Sequence, residues 1–449
     1  MRYLPHTPDE IREMLARIGV PSIDALFDSI PAGARLERPL NLEPALDEIS
    51  LMAHLEELAA RNEGARVLSF LGAGMYDHHV PPAVDQLLLR GEFYTAYTPY
   101  QPEVSQGTLQ AIFEFQTVVC EIFGMDVANA SMYDGASATA EAVLMARRLT
   151  GRPDAVLCGA LHPDYVETTR TYVQGLPDGC ALREVPFAHD GRTDLDALAR
   201  VLDERVACVV VGYPNFFGCV EDLGAVRELA SRRGALLISV TTEPYALSVL
   251  EPPGRLGADV AVGEGQALAC PPQFGGPGVG LFAARAEHVR QMPGRLVGQT
   301  VDAEGRRGFV LTLSTREQHI RRERATSNIC TNHGLVALAF VIRAALLGRQ
   351  GFEHVGRLCL ARTEYLKRRL VETGRFALPF SAPTFNEVVV RRLEGAAAPL
   401  LAALAARGIV AGIALERWYP DRPHDFLLAV TEKTSRADID RLVDALATA

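Results

Sequence analysis

The 449-residue chain is 48% hydrophobic with a net charge of −10, which gives enough apolar content for a large core and too little concentrated positive charge for a nucleic-acid surface. Of its 45 basic residues only Lys367 and Lys433 are lysines, leaving 43 arginines (45 − 2), so before residue 367 no lysine is available to lose a proton and act as a nucleophile. Eight cysteines without CxxC pairs or a Cys/His ligand spacing read as reduced thiols of a cytoplasmic protein, and no metal site is expected.

The first residues have neither the basic front nor the apolar core of a secretion signal. No uncharged apolar run of about 18 residues occurs, so no membrane span is expected. Thr7, Pro8 and Glu10 form a helix-start pattern, with Ile11, Leu15 and Ile18 on one face and Gly19 as the stop. A second stripe, Leu46, Ile49, Met52, Leu55 and Leu58, follows three prolines, and residues 1–65 read as a helical arm that lies either on a partner subunit or on its own core. Beyond residue 150, unalternated apolar runs at 155–158, 206–211, 235–240, 259–262 and 279–283 read as strands buried on both faces. The segments 194–202 and 222–232 between them have the length and stripe of crossover helices, so residues 66–348 read as a large α/β domain with a mostly parallel sheet. A long apolar helix over 333–347 precedes a change of character. Strands at 385–390, 412–415 and 426–430 around a helix at 399–406 make residues 349–449 a small α+β domain.

Ala130 to Glu141 is a turn of small and hydroxylic residues opening a helix that runs to Arg148. Its N-terminus, with Ser137 and Thr139, suits either a phosphate cradle or an ordinary capped helix. The glycine-rich stretch 274–280 precedes a strand, the wrong context for a nucleotide loop, and reads as a tight turn allowing close backbone approach. Asp259, entering a strand, fits a cofactor-orienting acid or a strand-edge acid. Residues 93–107 hold three tyrosines among amide, hydroxyl and carboxylate groups with two prolines, a rigid polar-aromatic loop fit for a site or an interface, or else a plain surface loop. His78 and His79 lack a third ligand nearby in sequence and read as loop residues. Arg321, Arg322 and Arg324, interrupted by Glu323, fit a solvated helix face or an anion contact.

Five segments carry a resemblance: 78–82, 97–107 (YTPYQPEVSQG), 128–135 (ANASMYDG), 292–297 (MPGRLV) and 315–331 (TREQHIRRERATSNICT). On these the chain resembles, over nearly its whole length, the P-proteins of the glycine cleavage system, and among them subunit 1 (alpha) of the two-subunit glycine decarboxylase. The resemblance implies a pyridoxal-phosphate-transferase fold of type I, aspartate-aminotransferase-like. It also implies a lysine-bearing beta subunit as partner in an α2β2 assembly, a lipoylated H-protein, and glycine as substrate. In the catalytic partner a lysine follows the strand corresponding to 259–263. Here that position falls near Gln266 or Ala267, so pyridoxal phosphate is expected in the complex on the partner and not covalently on this chain. As walls of the channel that admits the lipoyl arm, Tyr97, Tyr100, Gln101 and Gln106 are the candidates, with Arg321, Arg322 and Asn328 for interface or carboxylate contact. No catalytic residue is assigned. A purely structural scaffold subunit is the alternative.

Overall fold

The computed structural model describes residues 5–449 apart from 37, 65, 328 and 330. The chain divides into two compact units, residues 1–65 and 66–449. In the first, Thr7 caps the helix Pro8–Ile18 through a capping box with Glu10, and Gly19 ends it in a left-handed conformation (φ 88°). Asp47 caps a second helix, Glu48–Ala60. Neither helix buries a single residue.

The second unit is built on a seven-stranded sheet of β1 (Val127–Ala128), β2 (Asp154–Cys158), β3 (Leu182–Val185), β4 (Val206–Gly212), β5 (Leu236–Thr241), β6 (Val260–Glu264) and β7 (Gly280–Ala284). Their spatial order is β1-β7-β6-β5-β4-β2-β3. Strands β3, β2, β4, β5 and β6 run parallel, while β7 is antiparallel to both of its neighbours. All residues of β2, β4, β6 and β7 are buried, which explains why their sequences lack polar alternation. One face is covered by the helix Gly135–Thr150, whose Ala138, Ala142 and Val143 pack with Val260, Val262 and Phe282. The other is covered by Phe115, Val119 and Phe123 of the helix Gln106–Phe123, by Leu223 and Val226 of the helix Leu223–Arg232, and by Phe340. Covering both faces leaves the carboxyl ends of β5 and β6 as the open edge, where folds of this kind hold their ligands.

The apolar helix expected over 333–347 extends from Gly334 to Glu372, with one non-helical residue, Gly348 (φ 58°, ψ −178°). Its continuation carries charge on the outside, with Glu353 and Arg357 paired at 2.6 Å, which hid it from an apolar reading. By length and composition this helix could cross a membrane. Here Phe340 and Cys359 lie in the core beside the sheet, and the fully buried Arg343 donates to the Ala267 carbonyl at 2.8 Å. Beyond it, an antiparallel four-stranded sheet (Phe376–Ala377, Glu387–Arg392, Asp425–Ala429, Ile413–Ala414) packs Val388, Val390, Phe426 and Leu428 around the helices Ala397–Ala405 and Arg436–Thr448. A hairpin, Leu296–Val301 with Arg307–Thr312, completes the unit and has no counterpart among the expected strands.

Candidate functional site

At the open edge of the sheet the chain fills its own cleft. Gln266 follows β6 and is 1% exposed. Its carboxamide accepts from the Tyr76 amide at 3.1 Å and donates to the carbonyls of Tyr76 (3.2 Å) and Cys270 (2.6 Å). Ala267 beside it is buried, and its carbonyl takes the Arg343 bond. Tyr76, also buried, donates its hydroxyl to Glu387 at 2.6 Å and lies 3.3 Å from the Thr242 hydroxyl. The second oxygen of Glu387 accepts from the Ala73 amide at 2.6 Å, and burial, opposed by the Tyr76 and Ala73 hydrogen bonds, pushes Glu387 up to about 7.

The turn opening the helix Gly135–Thr150 is equally satisfied from within. Asp134 accepts from the Ser137 amide at 2.7 Å, the Ser137 hydroxyl accepts from the Asp134 amide in return at 3.3 Å, and the buried Thr139 hydroxyl donates to the Gly135 carbonyl at 2.8 Å. The Gly135 amide donates to Glu264, the last residue of β6, at 3.0 Å. Gly135 tolerates no side chain: a β-carbon there would lie 2.3 Å from the Tyr165 hydroxyl and 3.0 Å from the backbone of Gly263. Close backbone approach in the glycine-rich stretch is realised at Gly278, where a β-carbon would come within 2.9 Å of a Glu264 oxygen.

The surroundings decide between the two readings of Asp259 and correct that of His78. Asp259 lies at the opposite end of β6 from the cleft, where it accepts from the Leu237 amide at 2.8 Å and pairs with Arg227 and Arg285. It is the strand-edge acid of the two readings. His78 is not a plain loop residue: it is 2% exposed, with Nδ1 2.5 Å from Glu432 and Nε2 2.8 Å from Glu243. Burial alone would lower its pKa, but the two carboxylates raise it to about 9. The Cys359 sulfur joins His78 and Glu432 with ligand atoms all within 4.8 Å of one another. Both imidazole nitrogens face carboxylates at hydrogen-bond distance, which makes the group an imidazolium held between two carboxylates. Its members lie 165 and 354 residues apart, beyond the reach of a spacing argument.

The remaining candidates gather elsewhere. Tyr97 is 86% exposed, and with Phe93, Pro99, Ile112, Asn332 and Leu335 it lines a cavity of about 140 Å³. Tyr100 is half-exposed, its hydroxyl takes a 3.2 Å bond from Arg295, and its ring meets His319 edge-on at 5.6 Å. Gln106 binds both backbone groups of Phe309 at 2.9 Å, anchoring the loop to the hairpin; Gln101 is exposed. Arg321 and Arg322 are exposed, Arg322 at φ 52°, and Asn328 lies outside the described residues. The residue that joins the motif segments is Arg295, the one cation of MPGRLV. It is 5% exposed and reaches Tyr100, Thr331 (3.3 Å), Asn332 (3.4 Å) and Glu317 (3.5 Å). A single arginine inside an apolar motif was the signal for it.

The fold's cofactor finds no fitting residues here. Lys367 pairs with Glu364 at 2.7 Å and bonds Thr384 at 3.2 Å, while Lys433 holds both oxygens of Asp77 at 2.6 Å. Gln266 and Ala267, near which the resemblance expects a lysine, carry no amine. A family model described as glycine cleavage system P-protein matches residues 1–446. The chain belongs to the P-protein family. Relatives in this family include a probable glycine dehydrogenase (decarboxylating) subunit 1 from Sorangium cellulosum, 62% identical and covering 100% of this chain and 99% of its own. Another of the same description, from Desulforamulus reducens, is 48% identical with 99% of each chain covered. A crystal structure of the P-protein glycine decarboxylase in inhibitor-bound form matches with a TM-score of 0.89 at 44% identity over 100% of both chains. More distant likeness, such as a TM-score of 0.67 at 13% identity to a Lactobacillus brevis glutamate decarboxylase, marks the fold as type I of the pyridoxal-phosphate enzymes.

Proposed function

We propose that this chain is the alpha subunit of a cytoplasmic glycine dehydrogenase (decarboxylating, aminomethyl-transferring) of the glycine cleavage system. The complex, an α2β2 assembly, releases carbon dioxide from glycine and passes the aminomethyl group to the lipoyl arm of the H-protein. Pyridoxal phosphate on the lysine-bearing beta subunit supplies the electron sink. The carrying observation is full-length likeness to subunit 1 proteins, and it is supported by the absence of a lysine near Gln266 and Ala267, where the resemblance expects one and where both residues are buried. This chain contributes walls around the reaction and surfaces for assembly. The loop bearing Tyr97, Tyr100, Gln101 and Gln106 is pinned by Arg295 and the hairpin, which gives it the rigidity that a channel wall needs. Arg321, Arg322 and Asn328 serve at the same mouth or at the subunit interface. The arm, with Ile49 84% exposed and Leu42 75% exposed, presents apolar faces to the beta subunit.

The chain expressed alone should carry no pyridoxal phosphate and show no glycine-dependent carbon dioxide exchange. Mixed with the beta subunit and lipoylated H-protein, it should support both. A competent cofactor in the chain alone overturns the reading. Replacing Tyr97 and Tyr100 together with phenylalanine should lower turnover of the reconstituted complex about tenfold, the worth of one hydrogen bond to a charged group, without dissociating it. Unchanged kinetics would leave the scaffold alternative in possession of the loop.

A further inference from the structure

We propose that Glu264 permanently occupies an anion site at the start of the helix Gly135–Thr150 that would otherwise suit a phosphate, so that the chain is closed to phosphate esters by its own carboxylate. The inference rests on the reading that the cofactor belongs to the beta subunit, and it explains how this chain stays empty.

Three backbone N–H groups from three different places converge on the Glu264 carboxylate. Gly135, at the start of the long helix, donates to Oε2 at 3.0 Å; Gln266, in the turn after β6, and Val279, at the entry to β7, both donate to Oε1 at 2.9 Å. A helix N-terminus with free N–H groups attracts any anion, because unpaired donors and the helix dipole act together. Here Asp134 takes the Ser137 N–H and Glu264, on the adjoining strand, takes that of Gly135, without a ligand from solution. The side chain is enclosed, with Glu264 4% exposed. Burial pushes its pKa up to about 7, the three N–H groups pull it down, and Asp134 adds to the rise. A dianionic phosphate would therefore have to displace one carboxylate and lie beside a second. The glycines fit this arrangement: Gly135 and Gly278 bring backbone to within bonding distance of Glu264, where any β-carbon would intrude.

A carboxylate that merely capped the helix would, when removed, leave a weaker helix. A carboxylate standing in for a ligand would leave a vacancy that the ligand recognises. Thermal unfolding of the full-length chain at pH 8, in chloride, inorganic phosphate or pyridoxal 5′-phosphate at matched ionic strength, separates the two. Wild type should melt at the same temperature in all three. Glu264→Ala should melt lower in chloride and regain part of the loss, saturably, in phosphate and in pyridoxal 5′-phosphate. Glu264→Gln, which keeps the volume but turns an amide toward the Gly135 N–H, should melt lower and regain nothing. The proposal is overturned by saturable stabilisation of wild type, by a folded alanine variant indifferent to phosphate, or by an unchanged melting temperature for the glutamine variant. If the alanine variant does not fold, wild type and Glu264→Gln still decide the matter. Failure of the wider functional reading would show separately, as a wild-type chain that gives no carbon dioxide exchange with its partner while the Glu264 results stand.

Discussion

His78 is the residue whose environment makes the firmest statement about pH. Its imidazolium ties Glu243, beyond the end of β5, to Glu432, beyond the last strand of the C-terminal sheet. Glu432 is partly buried, which alone would raise it, yet the His78 bond and charge bring it down to about 2. A histidine raised to about 9 when folded and near 6.5 when unfolded adds stability that is complete below about 6.5 and is lost as pH rises through 9. Glu264 and Glu387, raised to about 7, shed their share earlier, between about 4.5 and 7. The melting temperature should therefore fall in two stages as pH rises. His78→Gln should flatten only the upper one, at a cost of about 3–5 kcal/mol at pH 6 for the carboxylates left buried and unpaired. At this scale the sequence was legible where a residue's meaning is local. Thr7 and Gly19 announced their caps. Glu264 and His78 take their meaning from partners more than a hundred residues away, which spacing cannot reveal.

Among elements, the strands buried on both faces and their crossover helices could be read from composition, because burial demands unbroken apolar runs. The hairpin at Leu296–Val301 was hidden by exposure: Gly298, Gln299 and Thr300 follow two buried residues, so the apolar run ends too soon to suggest a strand. The helix Gly334–Glu372 was half legible, its second part disguised by a charged outer face. Gly348 within it has a conformation open essentially to glycine alone, although a β-carbon there would meet nothing within 4 Å. Gly348→Ala should therefore cost about 1–3 kcal/mol through backbone strain alone, since the added methyl would stand in open space. Urea unfolding would show a lower midpoint at an unchanged m-value; a neutral result would mean that the bend is not held in place by its surroundings.

For the molecule as a whole, the division at residue 65 separates, among the described residues, a part with a buried apolar core from a part without one. The apolar clusters of buried residues all lie beyond residue 65, whereas Leu46, Ile49, Met52 and Leu55 of the arm are exposed. Substituting Ile49→Asp and Leu55→Asp should change the unfolding free energy of the isolated chain by no more than the roughly 0.5 kcal/mol expected of surface changes. The same pair should weaken association with the beta subunit at least tenfold in sedimentation or size-exclusion titrations, since buried interface positions do not accept unpaired charge. The motifs that mark the family were legible in the chain, but their convergence on Arg295 was not, because separated segments meet only when folded. The filled cleft also bears on ancestry. Gln266→Lys alone would set an amine against the Tyr76 and Cys270 carbonyls that the carboxamide now serves, with the anion site still filled by Glu264, and loss of Glu264 alone would uncover donors with no amine to use what they attract. Neither change alone would give both an amine and an open anion site, so a return of cofactor binding to this chain would take at least two substitutions.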